Sequence, residues 1–132
     1  MVHKLAVRTH QQTEFIDITD QIQTVVTQSG VRDGIAVIWV PHTTAGITIN
    51  EHADPDVARD ILKELNKVIP FTDNYAHLEG NSAAHIKSTL VGCQTNVMVE
   101  DGRLLLGTWQ GIFFCEFDGP RHRSVWVKIL PE

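Results

Sequence analysis

The 132-residue sequence lacks several features that would assign it to a specialised class of protein. Its two cysteines, Cys93 and Cys115, form no C-x-x-C unit, so neither a disulfide scaffold nor a zinc knuckle is predicted. No apolar run approaches the ~18 residues of a membrane span, and the first residues lack the apolar core of a signal peptide. We therefore expect a cytoplasmic protein that is not embedded in a membrane.

An excess of positive charge is also absent. The sequence carries 11 Lys and Arg against 16 Asp and Glu, for a formal charge of −5. A general nucleic-acid binder needs a basic face that displaces counterions, so we expect no nucleic acid and favour a small molecule or a protein as partner. With 42% apolar residues, nine Gly and five Pro, the composition is that of a globular protein, and residues 1–132 are enough for one domain.

Strand-like patterns occupy much of the sequence. Alternation from Leu5 to Thr9, followed by Phe15 and Ile16, predicts an opening hairpin. The continuous apolar run from Ile35 to Val40 is typical of a central strand that is buried on both faces. Asp101-Gly102 predicts a tight hairpin turn. Further strands are expected at 45–50, 96–99, 104–107, 112–117 and 125–129.

Two helices are marked by their end signals, and a third is shorter. The first is expected to be capped by Thr19 and closed by Gly30, and the second to be capped by Asp54. Ser82 is expected to cap the third helix, which would bury Ile86 and Leu90 before Gly92 ends it. The predicted fold class is therefore α+β, with a mixed or antiparallel sheet and two or three helices.

Polar residues between the apolar strands form a first candidate cluster, from Pro41 to Asp54. It contains His42, Thr43, Thr44 and Glu51 as well as Asp54 itself. Buried polar groups cost roughly 1–3 kcal/mol each when unpaired, so these side chains either pair with one another or face a ligand. Local turn formation by the two threonines and helix capping by Asp54 are equally good explanations.

A second cluster lies from Asn74 to Lys87 and includes His77, Asn81 and His85. Backbone N–H groups at a helix start favour anions, and Lys87 would add a charge for phosphate. In the first turn His85 is expected to be a neutral imidazole that is ready to bind a metal or accept a proton. A lone histidine is usually structural. Because His is a common ligand of divalent ions, three histidines raise the probability of a metal site to about one in two.

The third cluster lies from Thr108 to Arg123. Glu116 and Asp118 are two residues apart and would share one strand face, as paired acids for metal or proton transfer or as an exposed edge. Arg121 and Arg123 either bind phosphate or pair with nearby acids, and the sequence leaves both alternatives open. We expect the three clusters to converge on one ligand site.

Five motifs in this order resemble the YjbQ-like family, which is often labelled secondary thiamine-phosphate synthase: Pro41-His-Thr-Thr-Ala, Asn50-Glu51 with Asp54-Pro55, Glu79-Gly-Asn81 with Ala84-His85, Gly107-Thr-Trp-Gln110, and Glu116-Phe-Asp-Gly-Pro-Arg121. The resemblance implies a compact α+β fold, homotrimers, and a weak activity that joins a hydroxymethylpyrimidine pyrophosphate to a thiazole phosphate. Dedicated thiamine-phosphate synthases resemble TIM barrels, which need about 200 residues or more, so a shared reaction would be convergent.

The leading hypothesis is a metal-assisted enzyme that acts on a phosphorylated small molecule. It assigns a divalent metal, zinc or magnesium, to His42, His77 and His85; proton transfer to Glu51, Asp54, Glu116 and Asp118; and phosphate binding to Thr43, Thr44, Asn81, Lys87 and Arg121. The alternatives are a metal-dependent hydrolase of another substrate and a ligand-binding trimer without catalysis.

Overall fold

The computed structural model describes residues 1–132 as an α+β domain of eight strands and three helices, which confirms the predicted fold class. In chain order the elements are β1 (His3–Arg8), β2 (Glu14–Asp17), α1 (Thr19–Ser29), β3 (Gly34–Trp39), β4 (Ala45–Glu51), α2 (Pro55–Val68), α3 (Ser82–Val91), β5 (Gln94–Glu100), β6 (Arg103–Leu104), β7 (Gln110–Glu116) and β8 (His122–Pro131).

The strands form two antiparallel sheets, with the orders β1-β8-β3-β5-β6 and β2-β7-β4. The opening hairpin that the sequence predicts does not form, because β1 pairs with β8 while β2 pairs with β7 in the other sheet. Alternation identifies a strand but not its partner, and both partners here lie about a hundred positions further along the chain. The turn at Asp101-Gly102 is confirmed, and both residues have positive φ, as a tight hairpin requires.

The core lies between the two sheets and beneath α1. Its main cluster combines Ile38, Ile47 and Phe114 from strands of both sheets with Ile22 of α1. β3 is central in its sheet, as expected. Only one face of β3 is buried, however, because no other element of the chain covers Ile35 and its outward-facing neighbours, so the prediction of burial on both faces is wrong.

The ends of α1 and α2 follow local sequence signals. Gly30 closes α1 in the left-handed conformation, at φ 73°. Thr19 is the first helical residue rather than the cap, and its hydroxyl donates to Asp17 Oδ1 at 2.6 Å. Asp54 caps α2 as predicted by accepting the Asp56 N–H at 2.9 Å.

α3 begins at Ser82 and ends before Gly92, but Ser82 is its first helical residue rather than its cap, a position that Asn81 occupies. The predicted buried pair is also wrong, because Ile86 and Leu90 are exposed. The buried side chains of α3 are Ala83, Ala84, Lys87 and Ser88. Small residues let the helix approach β4 closely, where Ser88 Oγ donates to the Ala45 carbonyl at 2.7 Å. At Gly46 a Cβ atom would lie 2.7 Å from the Gly92 carbonyl oxygen, so the contact leaves no room for a larger side chain.

None of the three helices is both long and apolar enough to cross a membrane.

Candidate functional site

The largest polar cavity of the protein lies where the end of β3 and its link to β4 meet the start of α3 and the start of β8. We call it the main cavity; it has a volume of about 650 Å³. This size falls in the range of small-molecule sites. It brings together seven of the twelve residues that the leading hypothesis assigns to the site: His42, Thr43, Thr44, His77, Asn81, His85 and Arg121.

Glu51 and Asp54 lie elsewhere. They line a second cavity of about 530 Å³ together with Asp17 and His52. The seven residues of β4 separate them from the main cavity, which at the rise of an extended strand is roughly 20 Å. The expectation that the whole segment from Pro41 to Asp54 converges on one site is therefore wrong, and the two predicted acids do not face the histidines.

Glu116 and Arg123 form a buried ion pair at the base of the main cavity. Arg123 Nε donates to Glu116 Oε1 at 2.8 Å, and its Nη2 donates to the other carboxylate oxygen. Thr9 Oγ1 and the Asp118 N–H also donate to Glu116, at 2.7 and 3.0 Å. Burial alone would raise the pKa of Glu116, but these hydrogen bonds hold it below its ordinary value. Glu116 is thus a fixed carboxylate that positions Arg123 and does not exchange protons with a ligand.

Arg123 in turn fixes the link between β3 and β4. Its Nη2 donates to the hydroxyl of Thr44 at 2.9 Å and to the Thr44 carbonyl at 3.3 Å. Thr44 is buried, whereas Thr43 beside it is exposed to the cavity. Of the two threonines predicted to bind phosphate, Thr43 is therefore the accessible one.

Arg121 is the most accessible cation of the main cavity. Its Nη2 donates to Asp118 Oδ2 at 3.0 Å and its Nε to the Asp118 carbonyl at 2.8 Å, so Asp118 orients the guanidinium. About half of the Arg121 side chain remains exposed. The remaining N–H groups suit an anionic ligand. Asp118 acts through Arg121, since it is not itself part of the cavity wall.

His42 is held by a single backbone hydrogen bond that fixes its protonation. The Ser124 N–H donates to His42 Nε2 at 3.0 Å, so Nε2 carries no proton and Nδ1–H is the remaining polar group of the neutral ring. Burial, followed by the nearby Arg123 charge, lowers the pKa of His42 below its ordinary value, which favours this neutral form. His42 therefore offers a hydrogen-bond donor rather than the free lone pair that a metal ligand needs.

His77 and His85 lie side by side, with ring centroids 5.6 Å apart and an edge-to-face geometry. No group of three His, Cys, Asp or Glu side chains anywhere in the protein is placed to hold a metal ion. Together with the occupied Nε2 of His42, this arrangement does not fit a divalent metal bound by all three histidines. His77 and His85 are instead two imidazole side chains that line the main cavity.

Lys87 does not lie where the sequence predicts. It is fully buried, its Nζ has no hydrogen-bond partner, and it stands 4.1 Å from the centre of the Phe71 ring. Burial lowers the pKa of its ammonium group. Two residues after His85 on a helix, Lys87 points about 200° around the axis, away from the main cavity. The expectation that Lys87 grips phosphate in this cavity is therefore wrong.

Comparison with known proteins covers nearly the whole chain. The family model described as "UPF0047 protein YjbQ-like" matches residues 3–132. The chain belongs to the YjbQ family. It is 58% identical over 130 residues to UPF0047 protein MJ1081 of Methanocaldococcus jannaschii, a match that covers 98% of this chain and 94% of the relative. It is 50% identical to YugU of Bacillus subtilis, covering 98% and 99%.

Solved structures of YjbQ-family proteins share the fold. A Clostridium acetobutylicum protein superimposes with a TM-score of 0.96 at 56% identity, covering 97% of this chain and 99% of that one. A Sulfolobus solfataricus protein, described as YbjQ-like and of unknown function, gives a TM-score of 0.96 at 38% identity, covering 100% and 97%. The names of these relatives state no activity.

The structure also reveals a residue pair that the sequence patterns did not indicate. In the second cavity His52 Nδ1 lies 2.8 Å from Asp17 Oδ2, and Asp17 Oδ1 accepts from Thr19. Hydrogen bonds from Thr19 and His52 outweigh burial and lower the pKa of Asp17. Asp17 is the last residue of β2, and His52 directly follows β4. The two residues are 35 positions apart in the sequence, so no local spacing predicts their contact.

Proposed function

We propose that the main cavity binds a phosphorylated small molecule and that this YjbQ-family chain is an enzyme that transfers protons to or from it. The observation that carries the proposal is the oriented, half-exposed guanidinium of Arg121 in a cavity that also holds three histidines. An arginine that a carboxylate holds in place is a suitable phosphate ligand because its planar fork binds two oxygens at once.

The anionic end of the ligand would lie between Arg121, the Nδ1–H of His42 and the hydroxyl of Thr43. All three line the main cavity, and the first two are fixed in orientation by Asp118 and Ser124. Preorganised donors of this kind stabilise charge that develops on a leaving phosphate without having to reorient.

His77 and His85 would supply the proton transfer. An imidazole ring has one nitrogen that can accept a proton and one that can donate a proton, so it can serve as a general base or a general acid. In the thiamine-phosphate-synthase-like reaction, a thiazole nitrogen forms a bond to the methylene carbon of the pyrimidine. The bond from that carbon to oxygen breaks, and pyrophosphate leaves with the electron pair. Arg121 and the histidines would stabilise and protonate the departing pyrophosphate.

A zinc or magnesium ion bound by all three histidines is not part of the proposal, because the lone pair of His42 Nε2 is already used. Elemental analysis of tag-free protein checks this point. Near-stoichiometric metal that disappears in both His42→Ala and His85→Ala would contradict it and restore the three-histidine site.

The enzyme proposal is tested by incubating tag-free protein with the pyrimidine pyrophosphate and the thiazole phosphate and measuring thiamine phosphate. We expect slow product formation that is lost in Arg121→Ala. Arg59→Ala is a matched control, because it removes an arginine from the second cavity. Saturable binding of both compounds with no product would contradict the enzyme proposal and favour a ligand-binding protein.

We also propose that the chain forms a homotrimer, using the uncovered face of the five-stranded sheet. Met98 and Leu130 are the direct neighbours of Ile35 on either side, and all three are exposed. Adjacent apolar side chains on a surface mark interaction sites. Light scattering is expected to give three chains per particle for the wild type and a smaller particle for Met98→Lys. A wild-type monomer would contradict the proposal.

A further inference from the structure

Trp39 is the exposed apolar side chain of the main cavity. It is the last residue of β3, lines the cavity and is 44% exposed. The other residues of the wall that are not strongly polar, Val40, Pro41 and Cys93, are more buried. An apolar part of a ligand in this cavity would therefore contact Trp39.

The indole ring of Trp39 has no stacking partner within the chain. No aromatic ring or cation of the protein lies over it. Its cross-strand neighbour Trp126 differs, because Lys4 Nζ lies 5.3 Å from the centre of the Trp126 ring. The negative face and positive edge of an indole favour contact with another flat ring. A flat ring of a ligand would supply the partner that the chain does not.

The amide of Asn81, by contrast, is already held by the protein. Asn81 Nδ2 donates to Glu79 Oε2 at 2.8 Å and to Asp118 Oδ2 at 2.9 Å, and Asn81 Oδ1 is buried. An ionised carboxylate only accepts hydrogen bonds, so the amide cannot turn, and neither amide hydrogen is left for a phosphate. Arg121 and Trp39 are instead exposed in the cavity, the first to an anion and the second to a ring.

We propose that Trp39 determines the specificity of the main cavity by stacking on an aromatic ring of the ligand, while Arg121 binds the phosphate of the same molecule. Both side chains line one cavity of about 650 Å³, a volume that accommodates a ring and a phosphate. The inference rests on the proposed function and narrows the substrates to phosphates that carry a flat aromatic ring. Phosphates of aliphatic groups would lose the stacking contact and bind less tightly.

Pairs of phosphates that differ in the flatness of the ring test the proposal. Benzyl and 2-phenylethyl phosphate are compared with cyclohexylmethyl and 2-cyclohexylethyl phosphate, which have the same linkers and ring sizes. The saturated ring is the more apolar of each pair, so simple burial would not favour the aromatic one. We expect the wild type to bind at least one aromatic probe about two- to tenfold more tightly than its saturated counterpart, the range for an aromatic stacking contact, as measured by calorimetry.

The same titrations on variants separate the ring contact from the anion contact. Trp39→Leu should lose the aromatic preference while its affinity for inorganic pyrophosphate changes less than about twofold, because leucine is apolar but has no ring. Trp39→Phe should keep part of the preference. Trp109→Leu is the matched control and should keep all of it, since Trp109 is also exposed but does not line the main cavity. Trp39→Thr, a β-branched residue that suits a strand, replaces the leucine variant if that variant does not fold.

Three outcomes overturn the role of Trp39 while the wild type still binds pyrophosphate and the proposed function stands. The wild type shows no aromatic preference, the preference persists in Trp39→Leu, or that variant loses its affinity for pyrophosphate, which would mean that Trp39 supports the cavity itself. A wild type that binds neither pyrophosphate nor any of the four probes overturns the proposed function and the role of Trp39 with it.

Discussion

Both cavities have a carboxylate bonded to a basic side chain in their wall, but the two pairs differ in burial. The side chains of Glu116 and Arg123 are 0% and 5% exposed, whereas those of Asp17 and His52 are 41% and 33% exposed. Removing one partner of a buried pair leaves an uncompensated charge, while water screens and replaces the partner of an exposed one. The Glu116–Arg123 pair is thus part of the buried structure, whereas the Asp17–His52 pair is screened by water.

The two cavities also differ in the charge that they present. Arg121, Arg123 and three histidines surround the main cavity, with Glu79 as its one acid. The second cavity is lined by four acids and by Arg59, which is itself paired with Asp56. A cavity binds a ligand of opposite charge better than a ligand of like charge. An anionic substrate is therefore expected to bind in the main cavity only.

The largest expected effect is on stability, in Arg123→Met. This change leaves Glu116 buried and unpaired, so we expect the free energy of unfolding to fall by about 3–5 kcal/mol. Urea denaturation measures it. The double variant Arg123→Met, Glu116→Leu removes both charges and should recover much of the loss; a double variant as unstable as the single one would show that packing rather than charge is responsible.

The next effect concerns ligand affinity. Arg121→Ala should weaken the binding of inorganic pyrophosphate by about 10- to 100-fold, the range for a charge-assisted contact of about 1.5–3 kcal/mol. Arg59→Ala, in the second cavity, should leave the affinity for pyrophosphate unchanged. Calorimetric titration gives the dissociation constant of pyrophosphate for both variants. Equal losses of affinity would mean that the second cavity also attracts the anion.

Acid should affect the buried pair selectively. The pKa of Glu116 is lowered in the folded protein from its ordinary value of 4.5, so its contribution to stability is present above pH 4.5. That contribution is lost as the pH falls below 4.5 toward the lower folded-state pKa. Thermal melts across this window should lose stability more steeply in the wild type than in Glu116→Gln, and equal slopes would place the acid sensitivity elsewhere.

The smallest effect is expected for the exposed pair. His52→Ala should change the free energy of unfolding by less than about 1 kcal/mol, as is usual for solvent-exposed ion pairs. The same urea denaturation gives the value beside that of Arg123→Met. A loss of unfolding free energy as large as that in Arg123→Met would contradict the distinction between the buried and the exposed ion pair.

Local signals in the sequence were sufficient for several elements. Gly30, Asp54 and the Asp101-Gly102 turn act through backbone groups a few residues away, and each lies where its pattern predicts. The three histidines and Arg121 also meet in one cavity, as expected. Residue type alone marked them, because clustered polar side chains beside apolar strands need partners.

Long-range pairing could not be predicted in the same way. The separation of Glu51 and Asp54 from His42 follows from the length and direction of β4, and the burial of Lys87 follows from which side of α3 faces the core. Each depends on contacts between parts of the chain that are far apart in sequence, and hydrophobic periodicity carries no information about partners.

The sequence by itself determined the class of fold, the helix ends at Gly30 and Asp54, the tight turn and the identity of the polar residues, because each of these depends on a residue and its near neighbours. Tertiary structure decided what those polar groups do. Only when Glu79, Asn81 and Asp118 lie together does the amide of Asn81 lose its choice of orientation and become an acceptor. Hydrogen bonds are directional, so the chemical role of a side chain is fixed by the partners it has already bound.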